Sequence, residues 1–97
     1  MKNMIIINFK NLVSELESKD LKLCFLRNRG LFLENSQKDL YQMGLNRSGS
    51  YLDKLIKEGA IVEFSLVDSS CIGDWEKEIW DAQEVKNFIK RQFINIA

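Results

Sequence analysis

The chain predicts a small α+β domain whose elements run helix, hairpin, two helices, hairpin, helix. Three observations carry that expectation. Its 97 residues, 45% of them hydrophobic, suffice for one compact core and are too few for two of ordinary size, so residues 1–97 read as a single domain. Stretches in which apolar and polar residues alternate are interleaved with stretches in which apolar residues recur at helical spacing. Proline is absent, and glycine falls where a turn or a helix end is already expected.

Taken in order, Met4–Ile7 is a short apolar run of high β propensity. Asn8 then offers a helix N-cap, with Phe9, Leu12, Val13 and Leu16 at helical spacing up to an end near Lys19. DLKLCFLRNRGLFLEN sets two apolar stretches on either side of Asn28, Arg29 and Gly30, a connection of hairpin length, with Leu21, Leu23 and Phe25 on one face. Ser36 caps a helix from Gln37 to Met43, which Gly44 ends. Ser48 or Ser50 caps the next, on which Tyr51, Leu52, Leu55 and Ile56 form one stripe and Gly59 follows the last turn. Residues 61–80 read as a second hairpin: Val62, Phe64 and Leu66 alternate with Glu63 and Ser65, the loop SSCIGD follows, and WEKEIW is again strand-like. Asp81 and Glu84 make a capping box for a last helix over residues 82–96. Its stripe of Val85, Phe88, Ile89, Phe93 and Ile96 is long for so small a domain and suggests a homodimer contact.

Composition excludes several function classes. Fourteen basic residues balance fourteen acidic ones, so the whole-chain field neither draws the protein to nucleic acid nor repels it. The apolar runs fall far short of the roughly 20 residues a membrane helix needs, and the start lacks a signal-peptide pattern, so cytoplasmic residence is expected. Histidine is absent, and Cys24 and Cys71 have no metal-ligand spacing. No metal, cofactor or catalytic set is therefore expected. Asp68, Asp74, Glu76 and Glu78 gather around the second hairpin but read as solvated charges rather than magnesium ligands.

QKDLYQMGLNRS followed by YLDKL resembles the helix-turn-helix of phage-type repressors, and LDKLIKEGAIVEF is similar to the end of a winged helix-turn-helix recognition helix running into its first wing strand. The winged register keeps Leu52 and Leu55 in the core, where the repressor register would bury Asp53. The resemblance implies a winged helix-turn-helix over residues 36–61, its wing over 61–80, and a non-enzymatic regulator that binds double-stranded DNA. Arg47, Ser48, Ser50, Lys54 and Lys57 are then the DNA-contacting residues, Arg47 at a base edge and the two lysines at phosphates.

Two alternatives stand beside this reading. Strand, helix, strand, strand, helix, strand is also the order of a ferredoxin-like sandwich. The other function class is a small protein-binding inhibitor or immunity factor of a phage or mobile element, with Trp75, Trp80, Phe88 and Phe93 as its contact residues. Trp75 and Trp80 lie five apart, so a regular strand sends one into the core and the other to the surface, where an aromatic side chain serves as an interface anchor.

Overall fold

Alternation of apolar and polar residues draws six segments of this chain into one sheet. A computed structural model describes residues 3–26, 30–43, 52–68 and 77–93, with the backbone alone for Phe93. Its strands are β1 (Met4–Asn8), β2 (Leu21–Leu26), β3 (Gly30–Asn35), β4 (Leu40–Met43), β5 (Ile61–Val67) and β6 (Lys77–Trp80). They form one sheet in the order β1-β5-β4-β3-β2-β6, with antiparallel pairing at every step. The helices are α1 (Leu12–Lys19), entered through a 3₁₀ turn at Phe9–Asn11, α2 (Leu52–Glu58) and α3 (Ala82–Phe93). Among the described residues no helix is long and apolar enough to cross a membrane.

This is a small α+β fold, but it is not a winged helix-turn-helix. The helix expected from Ser36 to Met43 is instead a turn and strand β4. Asn35 causes the change: its side-chain oxygen accepts from the amides of Gln37 (3.0 Å) and Asp39 (2.8 Å), while the Lys38 amide donates to the Asn35 carbonyl at 3.0 Å with Lys38 at φ +70°. Such local bonds offer the backbone an alternative to the helical ladder, and they reverse the chain so that β4 pairs with β3. The wing expected over residues 61–80 is absent too. β5 lies between β1 and β4, whereas β6 pairs with β2 at the opposite edge of the sheet. A six-stranded sheet with this order also excludes the ferredoxin-like sandwich.

Other local expectations agree with the structure. Asn8 caps the 3₁₀ turn by accepting from the Lys10 amide at 3.0 Å. Leu21, Leu23 and Phe25 do share a face. Gly59 sits just beyond α2 at φ +62°, a conformation that costs glycine little. Asp81 and Glu84 form their reciprocal cap, Glu84 N–H to Asp81 Oδ1 at 2.9 Å and Asp81 N–H to Glu84 Oε1 at 3.4 Å. The last helix is described to Phe93, and Ile96 lies outside the described residues.

All three helices cover one face of the sheet. Leu12 and Leu16 of α1, Leu52 and Leu55 of α2 and Val85 of α3 share a cluster with Ile7, Leu23, Leu33, Tyr41 and Phe64. Each such side chain, fully buried, contributes about 1.5–3 kcal/mol of apolar transfer free energy. The opposite face holds a smaller cluster of Cys24, Leu26, Phe32 and Leu40 around the buried Glu34. That carboxylate is held by Lys77 (3.5 Å) and Lys38 (3.9 Å), which supply the compensation a buried charge requires.

Candidate functional site

The sheet register carries one row of side chains across the helix-covered face: Leu66, Tyr41, Leu33, Leu23 and finally Trp80 at the end of β6. Trp80 is half-buried at this edge. Its ring meets Phe25 of β2 at 5.1 Å in a T-shaped contact and Phe88 of α3 at 5.4 Å, both within the range of favourable aromatic pairing. The capping box at Asp81 and Glu84 starts α3 immediately after Trp80, and this short connection brings Phe88 back over the indole. Glu78, opposite Phe25 in the register, accepts the indole N–H at 3.1 Å.

The first turn of α2 closes the other side. Leu52 and Asp53 join Phe25, Glu78, Trp80 and Phe88 around an open depression of about 400 Å³. Its floor is apolar, and its rim carries two exposed carboxylates. Among the described residues neither Asp53 nor Glu78 belongs to an ion pair. The site therefore offers aromatic surface for a partner's side chain, with negative charge beside it.

Protein-family models, curated proteins and solved structures yield no match to this chain.

A second and larger cavity, about 880 Å³, opens beside the end of α1, between Ser18, Lys19, Leu21, Asn35 and Tyr41 on one side and the β1 edge from Asn3 to Ile6 on the other. Its Ser18 hydroxyl donates to the Glu15 carbonyl at 3.3 Å and its Lys19 pairs with the Glu15 carboxylate, and among the described residues no group of acids and thiols could hold a metal ion. Cys24 is fully buried, and burial, followed by the nearby Glu34 charge, pushes its thiol pKa up. A neutral, enclosed thiol is inert as a nucleophile. Of the four acids read as a cluster, Asp68 follows β5 and Glu78 lies on β6, with β4, β3 and β2 between those strands; Asp74 and Glu76 lie outside the described residues.

The DNA-contact candidates divide in the same way. Lys54 and Lys57 are exposed on α2, whereas Arg47, Ser48 and Ser50 lie outside the described residues. Trp80 and Phe88, chosen from the sequence as partner contacts, are brought together. Trp75 and the Phe93 side chain lie outside the description. Sequence reasoning missed Phe25, Leu52, Asp53 and Glu78. Phe25 was legible only as a core residue beside Leu21 and Leu23, because its role depends on β6 pairing with β2, a contact between segments about fifty positions apart. The alternating charges of WEKEIW gave no sign that Glu78 would share a face with Phe25.

Proposed function

We propose that this chain is a small non-enzymatic protein-binding domain, acting in the cytoplasm as an inhibitor or immunity-type factor that covers part of a partner's surface. The observation that carries the reading is the half-buried Trp80, held between Phe25 and Phe88 at the mouth of an apolar depression. Aromatic anchors in such settings dominate protein interfaces. The rim carboxylates Asp53 and Glu78 favour a partner surface that brings a basic side chain to the depression. A DNA-reading role loses its main support with the helix over residues 36–43, and the balanced charge adds none.

The test is partner capture by tagged wild-type and variant protein from the native host, with nuclease present throughout. Trp80→Ala should weaken the complex by about 2 kcal/mol or more, as loss of an interface anchor does. Asp53→Arg and Glu78→Lys alter the rim without touching the core and should reduce capture while leaving thermal stability near wild type. Capture of the same proteins by all three variants would defeat the reading.

A further inference from the structure

The sheet has a second edge, far from Trp80, and it is built differently. β1 has β5 on one side and, among the described residues, no strand on the other. Two ladder bonds fix which of its backbone groups face outward: the Leu66 amide donates to the Asn3 carbonyl and the Phe9 amide to the Ala60 carbonyl, both at 2.8 Å. In an antiparallel ladder the bonded residues alternate, so Ile5 and Ile7 also bond to β5, while Met4, Ile6 and Asn8 turn their amides and carbonyls away. Asn8 is closed to a further strand, because its amide donates to Glu15 Oε2 at 2.9 Å. Among the described residues, Met4 and Ile6 have no such stopper.

Their side chains are exposed as well. Met4 (49%), Ile6 (54%) and Ile61 (69%) are the large hydrophobics that stand out among the described residues. They share the sheet face away from the helices, with Ile61 opposite Asn8 in the register. Natural edges are usually protected by lysine, proline or a bulge, and the strand Met4–Asn8, reading MIIIN, carries no charge and no proline.

We propose that this edge pairs with the same edge of a second copy, β1 against β1 in antiparallel register about a two-fold axis at Ile5. Met4 of one protomer then faces Ile6 of its partner, and the reverse. Each protomer contributes two amides and two carbonyls, and four hydrogen bonds use all of them while Asn8 stays with Glu15. The apolar side chains of Met4 and Ile6 from both copies meet on one face. Charge permits the approach, since the strand has none and the chain carries fourteen of each sign. A few half-exposed side chains supply less than the roughly 800 Å² per partner of a standard stable interface, so the dimer is weak, with Kd of about 10–100 µM. This pairing does not depend on the Trp80 depression, which lies at the other edge of the sheet.

Sedimentation velocity across that concentration range tests it, together with amide hydrogen exchange at its two ends. Wild type should pass from monomer to dimer, and exchange at Met4 and Ile6 should slow at least several-fold as it does so. Ile6→Lys should remain a monomer throughout with an unchanged melting temperature, because position 6 is exposed. A wild-type monomer at the highest concentration would overturn the proposal. So would a dimer that survives in Ile6→Lys, or one whose new protection falls on α3 rather than on Met4 and Ile6.

Discussion

Glu15 shows how one side chain joins separate pieces of this fold. From α1 it accepts the Asn8 amide at the end of β1 and pairs with Lys19 one turn further along the helix. The Lys19 hydrogen bond, followed by the Asn8 amide, holds its carboxyl below the usual carboxylate range, against a smaller opposing effect of burial. A carboxylate with a lowered folded-state pKa stabilises the protein fully above its unfolded pKa, and that contribution is lost as pH falls through the folded value. Wild type should therefore lose stability on acidification below about pH 4, and Glu15→Gln should lose less over the same interval. Denaturant midpoints at neutral and acid pH would check this. Identical acid losses in the two proteins would remove Glu15 from the account.

At the scale of elements, α2 is short and owes its place to packing. A helix of seven residues is unstable alone, and this one is held by Leu52 and Leu55, exposed by 7% and 2% respectively. Leu55→Ala should cost about 2–5 kcal/mol, as large-to-small changes in a core do. Lys54→Ala, on the exposed side, should stay within about 0.5 kcal/mol. Chemical denaturation of the pair measures the helical phase directly, and equal losses would mean the phase is wrong. α3 uses its stripe similarly: Val85 is fully buried, and Phe88 and Ile89 pack against the same core. This packing occupies much of the surface the sequence suggests for dimerisation, and the open β1 edge is the better candidate.

For the molecule as a whole, a layer of helices on one face leaves two unlike sheet edges. One ends in Trp80 beneath α3, the other in β1, which among the described residues has no outer neighbour. Pairing through β1 would place two Trp80 depressions at the outer ends of a continuous twelve-stranded sheet, so that the dimer could engage two partners or a paired one with increased avidity. Balanced charge gives nucleic acid no long-range attraction to this chain. Affinity for random duplex DNA should be weaker than about 10⁻⁴ M at moderate salt, beyond the range of typical non-specific binders. Fluorescence anisotropy with a labelled duplex at two salt concentrations would show it. A tight, salt-sensitive complex weakened by Lys57→Ala would return nucleic acid to consideration.

Features that depend on neighbouring residues are legible before folding: the β2–β3 hairpin, the stripe of α2, the glycine after it and the Asp81–Glu84 cap, each written in spacing and local hydrogen-bonding chemistry. The remainder follows from contacts between distant segments. Ser36 to Met43 has composition compatible with a helix, but Asn35 captures the amides that would have begun one, and β3 and β5 each offer β4 a ladder. WEKEIW announces a strand without naming its partner. Whether it joins β5 as a wing or crosses to β2 depends on contacts between distant segments, which periodicity does not encode. That choice makes Trp80 and Phe25 neighbours. The place of β5 between β1 and β4 likewise leaves the outer side of β1 without a strand among the described residues, and the physical reason is the same: an edge is defined by the strands that do not pair with it, which only the complete sheet specifies.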